Sequence, residues 1–270
     1  MRLIDQDLLT EATELLKVRL ESVSREAKIF SLELGMAIPW MKDLEHHVPL
    51  AELPGCEKSK GIIRWGQHEG KEFIVLEQGE RFSRFMDLHL SCSPYWALAN
   101  LGFESFLFFG SGGALFEGAK ETDCVVLTDL HNYTGIDPFM GQDESFIKRW
   151  DRREAYSQSL VSDFLNNADS CSLRVSLANG CLINGPLLPN PIENERFREH
   201  ADIYLQSNGL ESMLLHGLGK SVLSLSLVSH LAMSHRGGAI VRKDFDEAVA
   251  YGMRQVSLVL LNMGKEGMIV

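Results

Sequence analysis

Several short stretches of this chain carry residues whose chemistry could act on a ligand. Gly110-Ser-Gly-Gly113 reads as a strand-to-helix turn, and glycines there leave backbone N–H groups bare for an anion and let a ligand come close. The same glycines would also serve a tight connection that binds nothing. In Glu80-Arg-Phe-Ser-Arg-Phe85, Arg81 offers a guanidinium fork suited to an oxyanion, with Arg84 as an alternative cation. On a solvated loop rim both arginines would simply face water. His230 follows the apolar run Ser221 to Val228, and its imidazole could protonate a leaving group near neutral pH or play a structural part at a strand end. His46-His47 lacks metal-ligand spacing, and no Walker loop, Ser-His-Asp arrangement or zinc cluster appears. No metal and no cofactor is therefore expected.

These residues need elements to hold them. Leu8, Leu9, Ala12, Leu15 and Leu16 are spaced for an amphipathic first helix, so residues 1–26 read as a helical extension packed on the body of the chain. Strands are predicted at Ala27 to Phe30, Gly61 to Trp65, Glu72 to Leu76, Phe103 to Phe109, Cys124 to Thr128, Leu173 to Ile183, Ile203 to Gln206 and Ser221 to Val228. Helical spacing is read at Ser93 to Leu101, Glu144 to Asn167, from Asn194, at Leu210 to Leu218 and at Asp244 to Met263. Residues 36–60 read as a loop region. The alternation predicts one α/β domain over residues 1–270, with a mixed, mostly parallel central sheet flanked by helices. Ligands of such sheets bind beyond the carboxyl ends of the strands. That rule singles out Ser31 to Gly35, Gly79 to Phe85, Gly110 to Gly113, Gly185 to Asn190, Gln206-Ser207 and Ser229-His230.

Composition narrows the partners. The formal net charge of −11 over 270 residues provides no basic face for a nucleic-acid backbone. No apolar run approaches the roughly 20 residues that cross a bilayer, and the N-terminus does not read as a signal segment. The 5 cysteines form no CxxC pair, which fits reduced thiols in a cytoplasmic protein.

The order of the motifs resembles the trimeric purine nucleoside phosphorylases. In that family an Asn-Ala-Ala-Gly-Gly-Leu turn precedes a strand and an Asp-His-Ile-Asn segment, as Gly110 to Gly113 here precedes Cys124 to Thr128 and Asp129-Leu-His-Asn132. The likeness returns at Asn184-Gly-Pro186, at Ala201-Asp-Ile-Tyr-Leu-Gln-Ser207 (similar to Gly-Ala-Asp-Ala-Val-Gly-Met-Ser) and at Leu223 to His230 (similar to Phe-Gly-Phe-Ser-Leu-Ile-Thr-Asn). It implies a nucleoside phosphorylase-like fold, a nucleoside or nucleobase and phosphate as small-molecule partners, and a homotrimer. It also implies pentosyltransfer, in which nucleoside plus phosphate gives free base plus pentose 1-phosphate. Under the resemblance Arg81, Ser83, Ser111, Gly112, Gln206 and Ser207 contact substrate, Asn190 is the polar group nearest the base, and His230 helps the base to leave.

Several family positions hold other residues. Leu32 and Glu33 stand where Gly-Ser-Gly-Leu-Gly has a serine and a glycine, and a carboxylate beside a dianion is unfavourable. Ser83 and Phe85 stand for a histidine and a tyrosine, Leu188 or Pro189 for the purine-binding glutamate, and His230 for an asparagine. Near Phe245 the family's ribose histidine has no polar counterpart. Two functions follow: a phosphorylase-type enzyme or nucleoside binder with altered specificity, and a catalytically degenerate member that keeps the fold as a ligand-binding or assembly module.

Overall fold

Strand β5, Ser105–Ala114, organises the sheet because its neighbour on one edge changes halfway along. Phe106 to Phe109 pair in parallel with β1, Ile29–Leu32, whereas Gly112 to Ala114 pair antiparallel with β8, Ile203–Leu205. The other edge pairs in parallel with β9, Ser221–Leu231, over its whole length. Gly110 and Ser111 therefore lie in the fork where β1 stops and β8 has not yet begun.

The computed structural model describes residues 1–33, 36–78, 86–151, 155–171, 173–233 and 242–263. The remaining strands are β2 (His46–Pro49), β3 (Ile62–His68), β4 (Lys71–Glu77), β6 (Cys124–Asn132) and β7 (Val175–Leu182). The described strands run β2-β3-β4-β1-β5-β8-β7-β6-β9, and β9 returns to β5. The last five therefore close into a ring that shares β5 with the open half. Both halves mix parallel and antiparallel pairs, as expected of a mixed sheet.

Helices α1 (Gln6–Arg19), α2 (Leu88–Asn100), α3 (Gln158–Ser170), α4 (Pro191–Arg198), α5 (Gly209–Gly217) and α6 (Arg242–Met263) complete the described elements of one mixed α/β domain. Alternation along β5 sorts them into layers. Phe106 and Phe108 join a core with Leu9, Ala12 and Leu16 of α1, Trp96 of α2 and Leu214 of α5. Leu107 and Phe109 join a second core with Phe164 of α3 and Met253 and Val256 of α6. Each fully buried side chain of this size contributes about 1.5–3 kcal/mol over exposure, so the two-faced sheet is held firmly where β5 crosses it.

The structure departs from the sequence expectations in several places. Gly110 to Gly113 form no turn and lead into no helix. They are ladder residues of β5, and glycine is required there by close approach: a Cβ on Gly112 would lie 2.4 Å from the Tyr204 carbonyl oxygen, and one on Gly113 2.5 Å from the Tyr204 ring. The polar residues Asp129 to Asn132 continue β6 against β7 rather than leaving it. In the charged stretch from Glu144, Glu144–Phe146 form a 3-10 turn and the α-helix begins at Gln158, with the buried stripe Leu160, Phe164 and Ala168. Helix α2 starts earlier than expected, because the Asp87 side chain caps it by accepting from the Leu90 N–H. Residues 36–60 include β2 and two 3-10 turns, Pro39–Asp43 and Leu50–Glu52.

Candidate functional site

At the β5 fork the Ser111 N–H has no strand to bond, and a buried backbone donor must find a partner. Glu33, the residue after β1, supplies it. One carboxylate oxygen, Oε2, accepts from the Ser111 N–H at 2.7 Å and from the Ser111 hydroxyl at 2.9 Å. Glu33 reaches this position because its own N–H bonds the Phe109 carbonyl at 2.9 Å, extending the β1–β5 pairing by one step. Glu33 is only 3% exposed. A side chain at Gly110 would collide with Asn208 Nδ2 at 2.7 Å, so the bare glycine is what lets Asn208 and Glu33 close over the fork.

A buried polar network continues beneath. Gln78 Nε2 donates to Tyr95 OH and to Asn208 Oδ1, each at 2.8 Å, and Tyr95 OH bonds Ser31 Oγ at 2.6 Å. Asn208 adopts the left-handed conformation at φ 66° as it opens α5, and its carbonyl accepts from Ser212 Oγ. One turn into α5, burial pushes the Glu211 carboxyl up to about 7; the Glu33 charge adds to the rise, against the pull of its own backbone N–H. Glu211 separates two small cavities, one beside Gln78 and Tyr95, the other beside Asn184, Gln206 and Ser207.

His230 lies across β5 from this network. The β5–β9 register slips between Gly112 and Gly113, a bulge that leaves Ser229 unpaired. The Ser229 hydroxyl donates to the Gly112 carbonyl at 2.9 Å, so at 3.0 Å it accepts from His230 Nδ1–H. Nε2 is then the acceptor for the Tyr204 hydroxyl. Burial lowers His230 to about 4, which matches this neutral tautomer. Both ring nitrogens are thus engaged by protein groups.

The other predicted residues are distributed as follows. The antiparallel register pairs Leu205 with Gly112, so Gln206 and Ser207 leave β8 at the fork, where they line a small cavity with Asn184 and Glu211. Gln206 Nε2 donates to the Leu187 carbonyl at 2.9 Å, which ties this wall to the Gly185-Pro186 loop. Asn190 stands at the exposed start of α4, where its Oδ1 accepts from the Ile192 and Glu193 N–H groups in a capping box. Arg81 and Ser83 lie outside the described residues, as do Arg84 and Phe85. A larger cavity beside Phe139, Trp150 and His216 opens at the far end of α5, away from the strand ends. No metal-binding cluster occurs among the described residues.

Sequence reasoning missed the partners of His230 and the network around Glu211. Tyr204 did offer a signal, since a buried phenol on a short strand needs a hydrogen-bond partner.

No protein-family model matches the chain. Its sequence is 23% identical over 230 residues to purine nucleoside phosphorylase 1 of Geobacillus stearothermophilus, covering 81% of this chain and 84% of that protein. The structure superposes on isoform 2 of purine nucleoside phosphorylase from Schistosoma mansoni, solved with cytosine and ribose-1-phosphate, at a TM-score of 0.85 and 16% identity over 98% of this chain and 99% of the other. A Schistosoma purine nucleoside phosphorylase in complex with guanosine gives a TM-score of 0.84 at 15% identity, over 99% and 100% of the two chains. The chain has the purine nucleoside phosphorylase fold. It is a divergent, purine nucleoside phosphorylase-like protein, and what the likeness establishes is the architecture. No described helix is long and apolar enough to cross a membrane.

Proposed function

We propose that this purine nucleoside phosphorylase-like protein binds a nucleoside or nucleobase at the β5 fork, with a specificity altered from that of a nucleoside phosphorylase. The observation that carries the reading is the fork at Ser111, where the carboxyl ends of β1 and of the antiparallel β8 face each other along β5 and Gln206-Ser207 leave β8, at a switch in strand order. Ligands of open α/β sheets bind at such points. The fold's solved relatives hold guanosine, or cytosine with ribose-1-phosphate, which supports a ligand of this class. In this reading Ser207, Gln206 and Gly112 line the ligand, and Asn190 lies at the base side. His230 serves the leaving base through Tyr204, whose hydroxyl it holds. The reading includes a homotrimer in the cytoplasm, in keeping with five free thiols.

A second reading, an assembly module without catalysis, is favoured by one observation: the closed Tyr204–His230–Ser229 chain spends the protons a general acid would need. One panel separates the two. Purified protein is titrated with purine and pyrimidine nucleosides and bases, with thermal shift and free-base release recorded with and without phosphate. A saturable shift by at least one ligand, weakened in Ser207→Ala, is expected. Neither shift nor release with any ligand would sink the nucleoside reading. Mass in solution tests the trimer.

A further inference from the structure

We infer that Glu33 is a built-in substitute for a bound anion, so that the site takes uncharged nucleosides and bases and excludes inorganic phosphate and sugar phosphates. The ligand class rests on the nucleoside reading above; the anion seat itself does not.

A backbone N–H and a hydroxyl that converge on one oxygen make an anion seat, and charged acceptors form the stronger hydrogen bonds. Ser111 presents such a pair, and Glu33 Oε2 takes both. The seat arises from the topology, because any sheet that swaps β1 for β8 beside β5 leaves the Ser111 N–H without a strand partner. Glu33 fills it from within the chain, tethered by its own N–H to Phe109 and almost wholly out of water. A phosphate could reach these donors only by displacing the carboxylate or by lying against it, and like charges in contact inside a protein repel strongly. A second acid, Glu211, stands close enough for the Glu33 charge to raise it further, and it lines the neighbouring cavity. Beside the neighbouring cavity the polar side chains are those of Thr134, Asn184, Gln206, Ser207 and Glu211, and its amides and hydroxyls suit sugar hydroxyls and base edges.

The test is a gain of function. Inorganic phosphate is titrated by calorimetry and thermal shift into the full-length protein, into Glu33→Gly, which clears both the charge and the side chain, and into Glu33→Gln, which clears the charge alone. Wild type should show no saturable phosphate binding. Glu33→Gly should bind at least about tenfold more tightly than wild type, with Glu33→Gln between the two. Phosphate binding by wild type as tight as by Glu33→Gly, or none by either, would overturn the inference. Circular dichroism shows whether Glu33→Gly folds; if it does not, Glu33→Gln decides, and equal affinity to wild type counts against Glu33. Guanosine and adenosine titrations run beside these. Their failure alongside a phosphate gain removes the nucleoside reading and leaves the seat standing. Their success without a phosphate gain does the reverse.

Discussion

The two sides of β5 solve the same problem in opposite ways. Beside β1 a carboxylate is buried against two donors, and a second acid is held near neutrality close by. Beside β9 an imidazole is buried as a neutral ring, with one nitrogen donating and the other accepting. Burial weakens whichever form is charged, so it raises the acid and lowers the base. One side thus stays sensitive to charge, while the other has its protons fixed by neighbours. A reaction that needs a mobile proton has more to draw on at Glu211 than at His230.

The glycines of β5 give the sharpest way to break one side and spare the other. Gly112→Ala drives a Cβ to 2.4 Å from the Tyr204 carbonyl oxygen, a backbone atom locked in the β5–β8 ladder. It should cost about 3 kcal/mol or more, at the upper end of overpacking, and disturb the His230 side. Gly110→Ala meets the Asn208 side-chain nitrogen at 2.7 Å, an atom that can rotate away, and should cost about 1 kcal/mol at the Glu33 side. Denaturant midpoints of the two variants read the difference directly, and equal losses would erase it.

Protonation sharpens the comparison further. Glu211 is raised from 4.5 to about 7, so the folded state binds the extra proton and stability falls as pH rises between those values. His230 is lowered from 6.5 to about 4, so its contribution is lost as pH falls through that window. The two slopes oppose each other across most of the same range. Glu211→Gln should leave stability below pH 4.5 almost unchanged and raise it by up to about 3 kcal/mol above pH 7. It should also expose the histidine slope, with stability rising from about pH 4 to 6.5. Thermal unfolding across pH 4–8 checks both signs, and a variant with the wild-type profile would mean that Glu211 is not buried as described.

Tyr204→Phe acts on the other side. It leaves His230 Nε2 buried without its donor, which should cost about 2 kcal/mol. The phenol stabilises the neutral ring, so its loss should move the His230 midpoint up from about 4 while burial keeps it below 6.5. A titration of the ring resonances by NMR reads the shift, and an unmoved midpoint would place the phenol elsewhere.

Much of the architecture was legible because it rests on local patterns. The apolar run of β9 is buried along nearly its whole length. The turn at Gln67 to Gly70 is a hairpin with Glu69 and Gly70 both at positive φ. The α1 spacing buries Leu9, Ala12 and Leu16 as an amphipathic helix should. Glu33 was recognisable as an obstacle to phosphate from its type alone. That it would take the Ser111 donors was not, because the fork exists only once β1 and β8 share an edge of β5. Glycines hide this, since a strand made of them shows no alternation to read. The His230 chain was illegible for a related reason: its partners come from β8 and from a bulge, and neither is a local feature.

Asn190 yields the smallest effect and tests whether the base side belongs to either half of this comparison. Its Oδ1 holds the first turn of α4, so Asn190→Ala should cost about 1 kcal/mol. Asn190→Asp caps equally well and should restore the stability, while lacking any amide N–H to offer a base. Affinity for nucleosides then separates the roles. If binding tracks stability, falling in alanine and recovering in aspartate, the residue acts by shaping the loop that Gln206 grips through Leu187. If binding falls in both variants, the amide itself meets the ligand, and the site extends from the β5 fork to the cap of α4.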